Sequence, residues 1–157
     1  MIEVLEVKAE VLKDVRFKVL WPHLQSSKEA NIDDDGSEGA IHLAAVVDGE
    51  VVGCASLFVQ DCDRYTGIFE GSKVYRLRAM GVLDSVRGKG VGAEIIEKAD
   101  LLCSENGANV IWCDAREIAW GFYSKQGFVY ASCEDGYECE AYEVRNLGIH
   151  KMMYKNI

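Results

Sequence analysis

The chain has 157 residues, of which 49% are hydrophobic and 27% charged, with a single proline and 15 glycines. That is the composition of one ordinary globular domain, spanning 1–157, and it excludes a disordered or low-complexity chain. The net charge of −9 excludes nucleic acid as the main partner, because phosphate contacts demand a basic field; the acidic surface either steers a cationic substrate or only maintains solubility.

In chain order, Ile2 to Val7 alternates apolar and acidic side chains and reads as a strand with one buried face. Leu12, Val15 and Val19 then recur at helical spacing, and Pro22 ends that helix. The polar stretch from Pro22 to Gly39 reads as a surface loop. Ile41 to Val47 and Val51 to Val59 are β-rich runs joined at Asp48-Gly49, a dipeptide that tolerates positive φ in a tight hairpin turn. A second loop, Gln60 to Lys73, leads to a strand from Val74 to Leu83. From Gly92 to Ser104, Ile95, Ile96, Ala99, Leu102 and Cys103 share one helical face, and Asn106-Gly107 stops the helix. Val110 to Cys113 predicts a short buried strand, Trp120 to Lys125 a short helix, and the stretches around Glu140 to Val144 and Ile149 to Tyr154 further strands. Antiparallel strands followed by a β-α-β unit define a mixed sheet with helices on its faces, an α/β (α+β) arrangement.

Cys54, Cys62, Cys103, Cys113, Cys133 and Cys139 form no C-x-x-C pair, and together with the three histidines they offer no zinc spacing. No secretory signal is read at the N-terminus and no apolar run reaches the ~20 residues that cross a bilayer. The expectation is a cytoplasmic protein with reduced thiols, no metal and no membrane partner.

The densest chemical signal is Arg87-Gly88-Lys89-Gly90-Val91-Gly92, between a strand and a helix. Glycines let the backbone pass close to a ligand, and the helix start adds unpaired N–H donors and the positive end of the macrodipole. With Arg87 and Lys89 beside it, such a turn suits a phosphate or pyrophosphate; the alternative is a glycine-rich connection that only packs helix on sheet. The P-loop pattern fails, since Leu83 stands where its first glycine belongs. Gly88, Gly90 and Ala93 satisfy the dinucleotide fingerprint, with Asp114 near the end of the next strand, but an antiparallel hairpin precedes it.

This turn resembles the signature of the GNAT superfamily of N-acetyltransferases, Gln/Arg-x-x-Gly-x-Gly/Ala, and matches it at every fixed position. Ala119-Trp120-Gly121-Phe122-Tyr123-Ser124-Lys125-Gln126-Gly127-Phe128 is similar to a second segment of that family, after its fifth strand. Val19 to Pro22, Arg76 to Val82 and Gly148 to Met153 further resemble a subgroup of small bacterial-type members. The resemblance implies a mostly antiparallel sheet of six to seven strands flanked by helices and splayed between the fourth and fifth. It also implies transfer of an acetyl group from acetyl-coenzyme A to a primary amine of a small molecule or peptide. The backbone of Arg87, Gly88, Lys89, Gly90, Val91 and Gly92, with Ala93 opening the helix, would hold the pyrophosphate. Met80, Gly81 and Val82 would pair with the pantetheine arm, and a main-chain N–H there would polarise the thioester carbonyl. Tyr123 takes the position of the general acid that protonates the departing thiolate.

Two departures stand out. Arg116 occupies a position where many members have asparagine. Arg76 and Arg78 stand near the place of a catalytic glutamate, leaving Asp114, Glu117, His150 or an already neutral amine to account for the base. A non-catalytic acyl-coenzyme A sensor and a dinucleotide-dependent enzyme are the competing readings, and a homodimer is compatible with the sequence without being specified by it. Asp33-Asp34-Asp35-Gly36 lacks the ligand alternation of a calcium loop and reads as a solvated acidic loop. His23 and His42 read as structural, Trp21 as a core or pocket residue, and Asp61 to Arg64 as a candidate substrate-facing loop.

Overall fold

The computed structural model describes residues 1–131 and 140–157; Cys133 and Cys139 lie outside the described residues. The described strands are β1 (Glu3–Glu6), β2 (Ile41–Val47), β3 (Glu50–Val59), β4 (Val74–Val82), β5 (Val110–Arg116), β6 (Val129–Tyr130), β7 (Tyr142–Val144) and β8 (Gly148–Asn156). The helices are α1 (Lys13–Val19), α2 (Val91–Glu105) and α3 (Trp120–Lys125), with 3-10 turns at Ala9–Leu12, Ser27–Glu29, Asp33–Gly36, Asp84–Val86 and Glu117–Ala119. Hydrogen bonding runs in the order β1-β2-β3-β4-β5-β8-β6, with β7 on β8. The expected mixed, mostly antiparallel sheet is present, with eight strands among the described residues rather than six or seven. Its parallel neighbours β4 and β5 pair over only Val74–Arg76 against Val110–Trp112.

The chain forms two compact units, Met1–Val59 with Leu77–Leu102, and Gln60–Arg76 with Cys103–Ile157. In the first unit the predicted hairpin forms, with Asp48 at φ 50° and Gly49 at φ 81° closing β2 onto β3. The two faces of β3 are covered by different helices. Leu12 and Val15 pack with Ala44 and Cys54 on one face, while a Cβ built on Gly53 would meet Ile95 of α2 at 3.1 Å on the other. Alternate residues of a strand point to opposite faces, which is why neighbouring Gly53 and Cys54 serve different helices. The apolar stripe of α2 is buried as its period predicts, through Ile95, Ile96, Ala99 and Cys103.

The stretch before β2 departs from a plain surface loop. Arg16 on α1 is fully buried and grips Asp35 with two hydrogen bonds, Nη1 to Oδ2 at 2.7 Å and Nη2 to Oδ1 at 2.9 Å. Arg16 also donates to Ser56 Oγ at 2.8 Å, and His42 lies 2.8 Å from the same oxygen and 2.9 Å from the Asp35 carbonyl. A carbonyl only accepts, so His42 Nε2 carries the proton and Nδ1 takes the Ser56 hydroxyl proton. His42 is therefore structural, as read. Asp33 and Asp34 are exposed but Asp35 is not, so the acidic loop is solvated only in part. Burial pushes the Asp35 carboxyl up, and the Arg16 hydrogen bond and the Ile32 N–H outweigh it, holding the group below its ordinary value.

In the second unit, β5 runs three residues past the apolar stretch that announced it and includes Asp114 and Arg116. It pairs with β8 from Val110↔Asn156 to Arg116↔His150. Cys62 and Phe69, both from the segment before β4, are buried with Val74, Trp112 and Met152. Trp112 Nε1 donates to the Gln60 carbonyl at 2.7 Å, which ties that segment to β5. Among the described residues no helix is long and apolar enough to cross a membrane.

Candidate active site

The glycine turn lies in the first unit, where sequence placed it, between β4 and α2. Asp84–Val86 forms a 3-10 turn, and Arg87 remains extended at φ −60°, ψ 144°. Gly88 and Gly90 then take φ 75° and 86°, the left-handed region that side chains disfavour. Glu94 N donates to the Gly90 carbonyl at 3.1 Å, so Gly90 caps α2 and the amides of Val91, Gly92 and Ala93 precede its first hydrogen bond. A Cβ added at Gly88 or Gly90 would meet no atom within 4 Å. These glycines are needed for their backbone angles, and the space above them is open.

Arg87 and Lys89 are both exposed at this turn. The Arg87 guanidinium rests 3.0 Å from Asp84, an exposed pair that contributes little to stability. The turn thus combines main-chain donors, a helix start and two mobile-length cationic side chains, an arrangement that accepts phosphate oxygens.

Immediately upstream, β4 carries a feature the sequence does not signal. Ala79 has φ 51°, and Cys54 Sγ donates to its carbonyl at 3.4 Å. A left-handed alanine costs about 1–2 kcal/mol, and strain of this kind gathers at functional segments. It redirects the peptide leading into Met80, Gly81 and Val82. Gly81 answers to a different constraint: a Cβ there would stand 2.7 Å from Val19 Cγ1 and 3.0 Å from Leu20 Cδ2, so a larger residue would have to displace those side chains.

Tyr123 lies in the second unit on α3, four residues before Gly127, whose φ of 91° ends the helix. The phenol ring is buried between Phe122 and Phe128, each at 5.2 Å in edge-to-face geometry. Burial raises its pKa well above the ordinary phenol value, with Cys113 adding and exposed Arg116 opposing. Tyr123 consequently keeps its proton throughout the physiological range, the state a general acid needs.

The three base candidates differ sharply. Glu117 is exposed on a 3-10 turn. His150 is buried, and its Nδ1 lies 2.9 Å from the Gly148 carbonyl, which assigns the proton to Nδ1 and leaves Nε2 as the basic nitrogen. Asp114 is heavily engaged: Arg64 Nη1 donates to Oδ1 at 2.9 Å, Arg76 Nη2 to Oδ2 at 2.8 Å, and the Tyr142 hydroxyl to Oδ1. Sequence reasoning missed this cluster. Its linear trace is that Trp112, Asp114 and Arg116 alternate along β5; that Arg76 is the register partner of Trp112 emerges only from the fold.

Comparison with known proteins identifies the chain as an acyltransferase. The model of the acetyltransferase (GNAT) family matches residues 8–128, and the chain belongs to that family. An uncharacterized N-acetyltransferase of Bacillus subtilis, YitI, is 30% identical over 157 residues, covering 100% of this chain and 97% of that protein. Among solved structures, an aminoglycoside 6'-N-acetyltransferase complexed with coenzyme A superposes with TM-score 0.72 at 18% identity, covering 98% of this chain and 96% of that one. Escherichia coli ElaA gives TM-score 0.71 at 17% identity, with 99% of each chain covered. A GNAT family acetyltransferase from Elizabethkingia anophelis with acetyl-CoA bound gives 0.65 at 14% identity, covering 99% and 98%.

Proposed function

We propose that this protein is a single-domain N-acetyltransferase that moves the acetyl group of acetyl-coenzyme A to a primary amine of a small molecule or peptide. The observation that carries the reading is the turn from Arg87 to Gly92, with left-handed Gly88 and Gly90 under open space and α2 starting at Val91. In this reading the amides from Arg87 to Ala93 hold the pyrophosphate, and the backbone of Met80, Gly81 and Val82 runs along the pantetheine arm. A main-chain N–H of that segment stabilises the oxygen of the tetrahedral intermediate.

The neutral amine attacks the thioester carbon, the C–S bond breaks, and Tyr123 delivers its proton to the leaving thiolate. The proton lost by the attacking nitrogen returns the phenol to its neutral form, so the cycle closes. That the buried Tyr123 enters the reaction protonated supports this role.

Calorimetric titration with acetyl-coenzyme A and with NAD tests the cofactor. Saturable acetyl-coenzyme A binding with none for NAD is expected, and the reverse overturns the reading. Free coenzyme A release across a panel of amines then tests catalysis. Tight acetyl-coenzyme A binding without release on any amine would indicate a sensor instead.

A further inference from the structure

The cluster around Asp114 has more positive charge than it needs for itself. Arg64, Arg76, Asp114 and Tyr142 come from four separate segments of the second unit and meet on one carboxylate. Among the described residues, two guanidiniums against one carboxylate leave a net charge of +1 in the cluster, in a chain whose total is −9. Each guanidinium carries five N–H donors, and each spends one on Asp114. Arg76 Nε is buried with no hydrogen-bond partner. A buried donor left unpaired costs about 1–3 kcal/mol and calls for an acceptor that the described residues do not supply.

Both guanidiniums also lie over aromatic rings. Arg64 lies 3.8 Å above the Tyr142 ring and Arg76 4.9 Å above the Trp112 ring. Stacking orients a guanidinium face while leaving its edge donors available for a planar, two-oxygen anion. Arg64 is 41% exposed and Arg76 22%, so the pair is reachable without being fully hydrated. Tyr142 adds no competing negative charge, because burial and its bond to Asp114 raise its phenol far above the ordinary value. A simple cation is poorly served here, since three donors already occupy the Asp114 oxygens.

We propose that Arg64 and Arg76 form a carboxylate subsite, so that the amine this protein acetylates belongs to a carboxylate-bearing molecule of the amino-acid class. This rests on the acetyl-transfer reading and narrows its substrate. Arg64 and Arg76 are then specificity-determining residues, while Asp114 and Tyr142 position them.

The test compares matched acceptors, each an amino acid and the same amine without its carboxylate, by coenzyme A release and by calorimetry. The carboxylate-bearing member is expected to show a kcat/KM about tenfold or more above its partner, since a site built for hydrogen bonds rejects an analogue that lacks them. Arg64→Gln should erase that preference by raising KM for the amino acid, leaving the plain amine within about twofold and acetyl-coenzyme A affinity unchanged. Arg64 is the primary variant because it is the more exposed of the two; Arg76→Lys should weaken the preference although it keeps the charge, for want of a fork. Equal turnover of the two members overturns the proposal. So does an equal loss for both in Arg64→Gln, the mark of a purely structural tie, and so does a loss of acetyl-coenzyme A affinity, the mark of a phosphate site. Saturable calorimetric binding of amino acids that Arg64→Gln abolishes supports the subsite even where no acetyl transfer occurs; absence of such binding together with absence of preference sinks it. Failure of the acetyl-transfer reading shows separately, as no binding of acetyl-coenzyme A by the unaltered protein.

Discussion

The turn from Asp84 to Gly92 and the cluster at Asp114 are both cationic places in an acidic chain, and they are built in opposite ways. The turn presents main-chain N–H groups, is exposed from Arg87 to Gly90, and comes from one continuous segment. The cluster presents guanidiniums, is half-buried, and draws on residues 64, 76, 114 and 142. A main-chain site cannot be erased by exchanging one side chain for another of similar size; it is blocked by adding a side chain where none fits. A side-chain site is the reverse, sensitive to each member and indifferent to the backbone. The first suits a group common to every turnover, such as a diphosphate, and the second suits a group that differs between substrates.

The sharpest way to break this contrast is Gly90→Asp. A carboxylate about 4 Å from a phosphate, at an effective dielectric near 20, costs about 4 kcal/mol, so acetyl-coenzyme A affinity should fall about 10³-fold. Nothing lies within 4 Å of a Cβ at Gly90, so the fold survives apart from the strain of a side chain at φ 86°. Calorimetry reads the affinity and circular dichroism the fold. Unaltered affinity removes the turn from cofactor binding.

Tyr123→Phe comes next. Phenylalanine keeps both edge-to-face contacts with Phe122 and Phe128, so only the proton donor is lost. Turnover should drop on the order of 10²-fold, at the lower end for general acid catalysis, with acetyl-coenzyme A affinity unchanged. A rate that stays the same, with an acceptor for which chemistry is limiting, assigns the ring to packing alone.

The same contrast explains what could be read from the sequence. The hairpin at Asp48-Gly49, the stripe of α2, and the glycine turn are local: turn chemistry and periodicity within a few residues specify each. The boundaries of α3 were also legible, because Gly127 stops it. The strand β5 was read short, since Asp114 and Arg116 end its apolar run; charge is admitted there because Arg64, Arg76 and Tyr142 arrive from elsewhere to receive Asp114. The two-residue β6 left no pattern long enough to detect. Ala79 gave no warning either, since a left-handed alanine looks like any strand alanine until its neighbours are packed. Likewise the acidic run 33–35 looked uniform, and only the fully buried Arg16 separates Asp35 from its neighbours.

A smaller effect sets the buried groups apart from the turn through alkaline stability. Burial raises the phenols of Tyr123 and Tyr142 and the thiol of Cys113, and pushes Cys54 up to about 12. Below the ordinary values both folded and unfolded chains hold these protons. Above them the unfolded chain releases its protons and the folded chain does not, so stability is intact below about pH 9 and falls as pH climbs. Each suppressed ionisation contributes about 1.4 kcal/mol per pH unit. Melting curves between pH 8 and 11 should show this decline, and Tyr142→Phe should flatten it above pH 10. An identical slope in that variant would mean the Tyr142 phenol ionises as readily folded as unfolded.

The smallest expected change is Arg87→Ala. Its guanidinium is 63% exposed and its partner Asp84 is 87% exposed, so the pair adds little to folding. Its charge near a diphosphate is screened over about 10 Å at 0.1 M salt. Acetyl-coenzyme A affinity should therefore weaken about threefold at low ionic strength, and the gap from wild type should close as salt is added. The melting temperature should stay put. A salt-independent loss of tenfold or more would show that Arg87 makes a desolvated contact with the ligand. The turn would then owe its affinity to a side chain as much as to its amides, and the distinction between a main-chain site at Gly88–Gly92 and a side-chain site at Arg64–Arg76 would no longer hold.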